Sequence, residues 1–374
     1  MGQFKPLTSL RAFLALWVLC RHWFHVYGSD PMFIDIGSAN TFFDHGYLGV
    51  DGFFILSGFI LTYNYGASNR HPLDKRKFIV ARIARIYPVH IACLLLFAAF
   101  AIARDFALHT HALGTQDYTA SGFILTALLL NAWHYAGPTG WNDVAWSVSA
   151  EWFAYVWFPV FLLVAPRHKQ VRIFAVAGLA LAALVAVELT SAEHLSLAGG
   201  VARLIPEFLL GVLLFRWRET LPQFEGWAGG SLVSLLICGF AIKVGADSLF
   251  VAGAVCLIFF LSYKRDVLTR PLSWAPLAFL GEISYCIYLV QRIPQYLFSF
   301  ARSRLPELAA VPAPVQALLL LVLTLAFAVL LHYLVENPMR SFINDRFGVR
   351  RHGAKSLKTS PSEKLAVNNP PRRM

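Results

Sequence analysis

Long apolar runs separated by short polar stretches recur along almost the whole chain. The run LLLLVLTLAFAVLL at 318–331 is representative: apolar residues follow one another without the inward–outward alternation of a barrel strand. Within lipid every backbone N–H and C=O must find its partner inside the protein, so a run of this kind reads as a helix. Crossing the hydrocarbon core takes about 20 apolar residues. Candidate spans lie near 7–27, 46–65, 86–104, 150–166, 173–189, 200–215, 228–244, 248–263, 276–298 and 314–334. A further apolar piece at 121–133 is short for a crossing. The pattern predicts an all-α fold: a polytopic transmembrane helical bundle over 1–345, followed by a segment of different character at 346–374.

Composition strengthens this picture. Of 374 residues, 57% are hydrophobic and 14% charged, with a mean hydropathy of +0.57. A soluble domain carries about 25% charged residues. The net charge of +11 is unevenly spread. Residues 346–374 hold eight Lys or Arg and one acid, Glu363, with Pro361, Pro370 and Pro371, and read as a disordered basic tail lying on anionic headgroups. No folded basic face accompanies the tail, so nucleic acid is not an expected partner. Other basic clusters fall at Lys75/Arg76/Lys77/Arg82/Arg85, Arg167/Lys169/Arg172, Arg216/Arg218 and Lys264/Arg265/Arg270. Positively charged loops stay in the cytoplasm. Placing every cluster there gives about ten spans with both termini cytoplasmic, provided 121–133 is a re-entrant or surface piece. Arg302 and Arg304 then fall outside and are the exception. The N-terminal segment lacks a signal-peptide cleavage site and is expected to remain as a span. No internal repeat and no soluble second domain are visible.

The five cysteines all sit in apolar runs without a C-x-x-C, and the histidines form no H-E-x-x-H. His109 and His111 in a polar loop are weak metal candidates, and no metal is expected.

Charged residues inside spans are costly and mark functional candidates. In SLRAFLALWVLCRHW, Arg11 and His22 are eleven residues apart, near three full turns. They share one helix face about 16 Å apart along the axis. A histidine can take a proton from a hydroxyl near neutral pH, and an arginine can hold phosphate or carboxylate. Spacing alone leaves open a snorkelling Arg11 and a structural His22. In GYLGVDGFFILSGFIL, Asp51 stands at the entry of a span, able to orient His22, to pair with an arginine, or to complement a helix N-terminus. Gly49, Gly52 and Gly58 permit close helix approach. Arg82 and Arg85 are i, i+3 neighbours, suited to a phosphorylated ligand or to anchoring at the membrane surface. Glu151 follows Trp146, Ser147 and Ser149. Glu282 and Gln291 lie at the penultimate span, and Glu336 ends the last one before Asn337-Pro338, where it can pair with an arginine.

Taken in order, these pieces resemble the bacterial membrane acyltransferase-3 family. Arg11 and His22 match its Arg-x10-His signature. Gly49 to Phe59 match its G-V-D-x-F-F-x-x-S-G-F stretch, and Arg82, Arg85 and Pro88 its R-x-x-R-x-x-P motif. Trp146, Ser147 and Glu151 match W-S-x-x-x-E, Gly281 to Leu289 match G-x-I-S-Y-x-x-Y-L, and Glu336 and Pro338 match E-x-P. The family often carries His after Y-L-x in the penultimate span; this chain has Gln291, which cannot titrate. The appended esterase-like domain of some members is not expected here.

The resemblance implies a multi-pass O-acyltransferase of the bacterial inner membrane. It would move an acyl group, usually acetyl, from acetyl-CoA to a hydroxyl of a cell-surface carbohydrate or glycolipid, or of a glycosylated secondary metabolite. His22 would be the central catalytic residue, with Asp51 or Glu151 fixing its tautomer. Arg11, Arg82 and Arg85 would serve donor binding or the structure of the site. Intramembrane Arg, His and Glu also suit an anion or proton-coupled transporter, but no symmetry between halves supports one. A catalytically inactive scaffold would have little use for charges so costly in lipid.

Overall fold

The computed structural model describes residues 4–24, 40–66, 73–108, 118–133, 140–167, 169–190 and 200–348. The basic tail beyond residue 348, and His109 and His111, lie outside them. Among the described residues there are helices and turns but no strand.

Helix α1 (Lys5–Phe24) is followed by α2 (Leu48–Leu61), which runs on as a π-helical turn, Thr62–Gly66. Then come α3 (Lys75–Leu108), the short α4 (Ala120–Ala127), α5 (Ala145–Val164), α6 (Gln170–Thr190) and α7 (Gly200–Glu219). A hairpin of α8 (Gly230–Val244) and α9 (Asp247–Leu261) follows. Next are α10 (Ala275–Glu282), α11 (Ser284–Val290) and α12 (Arg292–Arg304). The last are α13 (Ala313–Leu331), its π-helical extension His332–Glu336, and α14 (Asn337–Arg346).

Each candidate span overlaps helix among the described residues, although 276–298 is divided among three. Five helical stretches are long and apolar enough to cross a membrane: Thr41–Gly66, Lys75–Phe106, Ala145–Val164, Gln170–Thr190 and Pro314–Arg346. The core window of the first is 78% buried, whereas that of Gln170–Thr190 is only 17% buried. A helix such as α6, with Val171, Leu179 and Leu189 all facing outward, has no stable place in water. Lipid removes that cost, and the chain is an all-α membrane protein.

Local chemistry sets the helix ends. Thr119 caps α4 by accepting from the Gly122 N–H at 3.0 Å. With eight residues, α4 is too short to cross a bilayer, in keeping with the reading of 121–133. Gly245, at φ +68°, closes α8 in the left-handed region. The Glu188 carboxylate of α6 accepts from the Asp247 and Ser248 N–H groups at 2.8 and 3.0 Å and so caps α9. The segment 276–298, expected as one span, is broken at Ile283 and Gln291. Pro294 accounts for the second break: it has no N–H, and its ring would meet the Val290 carbonyl in a continuous helix.

At the centre, α2 packs against α1 on one side and α7 on the other. A side-chain carbon on Gly58 would overlap the Phe208 carbonyl oxygen, and one on Gly211 the Ile55 carbonyl oxygen. The two backbones therefore touch, as small residues allow where helices meet in lipid. On the other face, Gly281 of α10 abuts the Thr8 backbone of α1 in the same way. These contacts hold α1 and its two candidate residues in the middle of the bundle.

Candidate active site

A cavity opens between α1, α2, α3, α5 and α11. It brings together Arg11, Ser57, Arg82, Arg85, Glu151, Tyr155 and Tyr288. Four of the six expected site residues thus share one wall. Arg82 and Arg85 reach it because they lie one turn apart on α3, and Glu151 and Tyr155 because they are i, i+4 on α5.

Glu151 is the carboxylate of the chamber. Its Oε1 accepts from Ser57 Oγ at 2.5 Å and from Tyr155 Oη at 2.6 Å. The Arg82 guanidinium sits over the rings of Tyr65, Phe78 and Tyr155, 5.6, 5.9 and 5.7 Å from their centroids. Ring faces stabilise a cation without using its hydrogen-bond donors. Arg11 lies 5.9 Å over the Phe53 ring. Arg85 is placed differently, since it forms an ion pair with the buried Glu336. Glu336 Oε2 also lies 2.9 Å from His332 Nδ1 and 3.3 Å from Cys286 Sγ. Cys286, His332 and Glu336 have the side-chain types and spacing of a metal trio, within 4.8 Å of one another. The Arg85 cation already compensates that carboxylate, which argues against a second cation there.

His22 is not part of the cavity wall. It sits three turns along α1, where its Nδ1 meets Gln291 Oε1 at 3.2 Å and its backbone carbonyl accepts from Gln295 Nε2 at 2.9 Å. Beside it, Arg292 grips Asp143 with Nε at 3.0 and 3.1 Å and Nη2 at 2.5 Å. Burial disfavours the Asp143 carboxylate, but the Arg292 guanidinium and its hydrogen bonds outweigh this and hold its pKa below the usual carboxylate range. Tyr288 links the two centres. Its ring lines the cavity and meets Phe53 edge-on at 6.3 Å. Its hydroxyl accepts from Ser147 Oγ at 2.7 Å, and its backbone carbonyl accepts from Gln291 Nε2 at 2.9 Å.

Asp51 does not orient His22. It is fully buried, and Arg203 of α7 donates to its Oδ1 from Nε at 3.1 Å and from Nη2 at 2.5 Å. Glu207, one turn further along α7, lies 3.8 Å from Arg203 Nε. Of the alternatives open in the sequence, pairing with an arginine is the one realised, because α7 rather than α1 faces Asp51. Arg203 and Glu207 escaped the sequence reading, although two charges at i, i+4 within the apolar run 200–215 were a visible signal. Asp143, Arg292 and Gln295 escaped it as well. Asp143 and Arg292 are 149 positions apart, and nothing in the sequence joins them.

The acyltransferase-3 family model, described as an acyltransferase domain, matches residues 6–333. The chain belongs to the acyltransferase-3 family. Acyltransferase MdmB of Streptomyces mycarofaciens is 27% identical to this family member over 379 residues, covering 92% of this chain and 93% of MdmB. The putative peptidoglycan O-acetyltransferase YrhL of Bacillus subtilis is 26% identical over 90% of this chain and 54% of its own. The putative O-acetyltransferase SACOL0978 of Staphylococcus aureus is 23% identical over 85% and 55%. The chain thus spans about half the length of the last two relatives and nearly all of MdmB. No solved structure matches. As an acyltransferase-3 protein the chain is an O-acyltransferase, a membrane enzyme that transfers an acyl group to a hydroxyl; a transporter is not favoured.

Proposed function

We propose that this enzyme takes an acetyl group from acetyl-CoA at the Arg82 end of the bundle and delivers it, at the His22 end, to a hydroxyl of a cell-surface carbohydrate. In this reading the chain sits in the bacterial inner membrane with ten spans and both termini cytoplasmic. The cavity end of α1 then faces the cytoplasm, where acyl-CoA is made, and the His22 end faces away from it. One observation supports the reading above others: α1 carries a guanidinium-walled cavity at one end and a hydrogen-bonded histidine at the other, joined through Tyr288. The wall has three guanidiniums against Glu151 and the Glu336 that pairs with Arg85, which leaves one positive charge in excess. That balance suits an anionic donor. Arg11 and Arg82 are the natural contacts for it, since Arg85 is engaged by Glu336. The carbohydrate acceptor is supported by the likeness to a relative named for peptidoglycan.

In the reaction, a lone pair on the acceptor oxygen attacks the thioester carbonyl while His22 Nε2 takes the hydroxyl proton. The new C–O bond forms and the C–S bond breaks. The imidazolium returns its proton to the departing sulfur, releasing CoA as the free thiol and His22 as the neutral base. The thioester reaches His22 past the ring pair of Phe53 and Tyr288.

Inside-out membrane vesicles containing the full chain, given acetyl-labelled CoA, test this reading. The expected product is label in the membrane glycan fraction, released by mild base as an O-ester should be, with one CoA thiol formed per acetyl. Label that accumulates in the lumen as intact thioester would indicate transport instead. A correctly inserted His22→Ala protein that acetylates at the wild-type rate would overturn the mechanism.

A further inference from the structure

We infer that Gln291 is the positioning residue of His22: it holds the imidazole as the Nδ1–H tautomer and leaves Nε2 as the basic nitrogen. The inference rests on His22 acting as the base. Three observations carry it. First, the Gln291 amide has its two ends assigned by their partners. Its nitrogen lies 2.9 Å from the Tyr288 backbone carbonyl, which can only accept, so this end is the NH2. The other end, 3.2 Å from His22 Nδ1, is then the carbonyl oxygen, which also can only accept. The proton in that contact therefore belongs to Nδ1. Second, Gln291 is 1% exposed and stands in the break between α11 and α12. The break forced by Pro294 sets the side chain between the Tyr288 carbonyl and His22, so the amide has little freedom to turn over. Third, the ring's own backbone is fixed by Gln295 Nε2 on the His22 carbonyl at 2.9 Å, and Gln295 is held in turn by Arg292 at 2.9 Å.

A neutral amide in this place has a chemical consequence. A carboxylate on Nδ1 would stabilise the imidazolium and raise its proton affinity; a second histidine would add its own titration. Glutamine does neither. The charged groups facing His22 are Arg21 on its own helix and the Arg292–Asp143 pair on the opposing elements. The base thus titrates with a fixed tautomer and a partner that cannot take its proton, and the pH–rate profile should show one ionisation on the acid side.

The test uses the vesicle assay with acetyl-CoA and the endogenous acceptor, on Gln291→Leu, Gln291→Glu and His22→Ala, after checking that each protein inserts and elutes as a single species. Gln291→Leu should lower kcat by a part of the roughly 10²–10⁴-fold that a positioned general base supplies, with the KM for acetyl-CoA unchanged. Gln291→Glu is nearly isosteric and, as the carboxylate, still accepts from Nδ1, although it no longer donates to the Tyr288 carbonyl. It should keep more activity than Gln291→Leu and move the acid limb of the profile upward by about one pH unit or more, because a carboxylate beside the ring favours its protonated form. A Gln291→Leu enzyme with wild-type kcat, or a Gln291→Glu profile that does not move, would overturn the assignment. His22→Ala separates the two levels. If it is inactive while Gln291→Leu is normal, only the positioning role falls; if it is active, the base itself is elsewhere.

Discussion

Replacing Arg203 by methionine isolates the role of the buried charges at the junction of α2 and α7. The Arg203 and Asp51 side chains are both 0% exposed, with the guanidinium Nη2 2.5 Å from the carboxylate. Two unit charges 4 Å apart attract by about 4 kcal/mol at an effective dielectric constant near 20. Desolvation of both groups offsets much of that gain, so the intact pair contributes little net stability. Removing one partner is another matter: Asp51 stays buried with no cation, beside Glu207 3.8 Å from the lost guanidinium. The expected cost of Arg203→Met is about 3–5 kcal/mol. The double variant Arg203→Met/Asp51→Leu removes both charges and should recover most of it, since a well-packed apolar pair can replace an ion pair. Thermal unfolding of the full chain in detergent, followed by loss of the monomer peak on size exclusion, measures both. If Arg203→Met unfolds at the wild-type temperature, or the double variant is as unstable as the single one, the pair does not hold these helices. If Asp51→Asn instead moves the pH–rate profile while stability is unchanged, Asp51 acts on the histidine after all.

Arg82 and Arg85 should separate cleanly. Arg82→Gln should raise the KM for acetyl-CoA with little change in melting temperature, whereas Arg85→Gln strands Glu336 and should cost about 3–5 kcal/mol, relieved by adding Glu336→Gln. Gly58→Val drives a side chain into the Phe208 carbonyl and should destabilise by about 1–3 kcal/mol or more, seen as a lowered melting temperature. The Asp143–Arg292 pair makes a pH prediction. Because the folded-state pKa of Asp143 is lowered, its contribution is fully present above the ordinary carboxylate range and is lost as pH falls through the lowered value. Melting temperature measured from pH 7 down to pH 3 should show that loss only below about pH 4, and Asp143→Asn should abolish this component.

The helical class, the positions of most apolar helices and four of the cavity residues were legible in the sequence, because each depends on local pattern. Length and apolarity mark a span, and i, i+3 or i, i+4 spacing marks a shared face. Arg11, Arg82, Arg85 and Glu151 follow from those rules. What the pattern does not carry is which helix stands opposite which. Asp51 faces α7 rather than α1 because Gly58 and Gly211 let those two backbones touch, a matter of tertiary packing. The same limit hid the joining of Asp143 to Arg292. The break at Gln291 was half visible in Pro294, but its value lies in the contact with His22, which only the folded chain displays. Gln291, which cannot titrate, gave no sign of a role in the sequence; in place, its amide oxygen faces the His22 ring at 3.2 Å.

Between Arg11 and His22, α1 turns Ala15 and Val18 inward against Val50 and Phe54, all of them 4% exposed or less. An enzyme that places polar machinery near both surfaces of an energised bilayer risks becoming a leak. On the reading proposed above, this greasy collar would insulate the two compartments from each other, keep bulk water from the thioester and deny small ions a continuous wetted path. Enlarging it by trimming Val18 or Phe54 would therefore be felt first as a loss of membrane potential in the cell, before any change in the glycan.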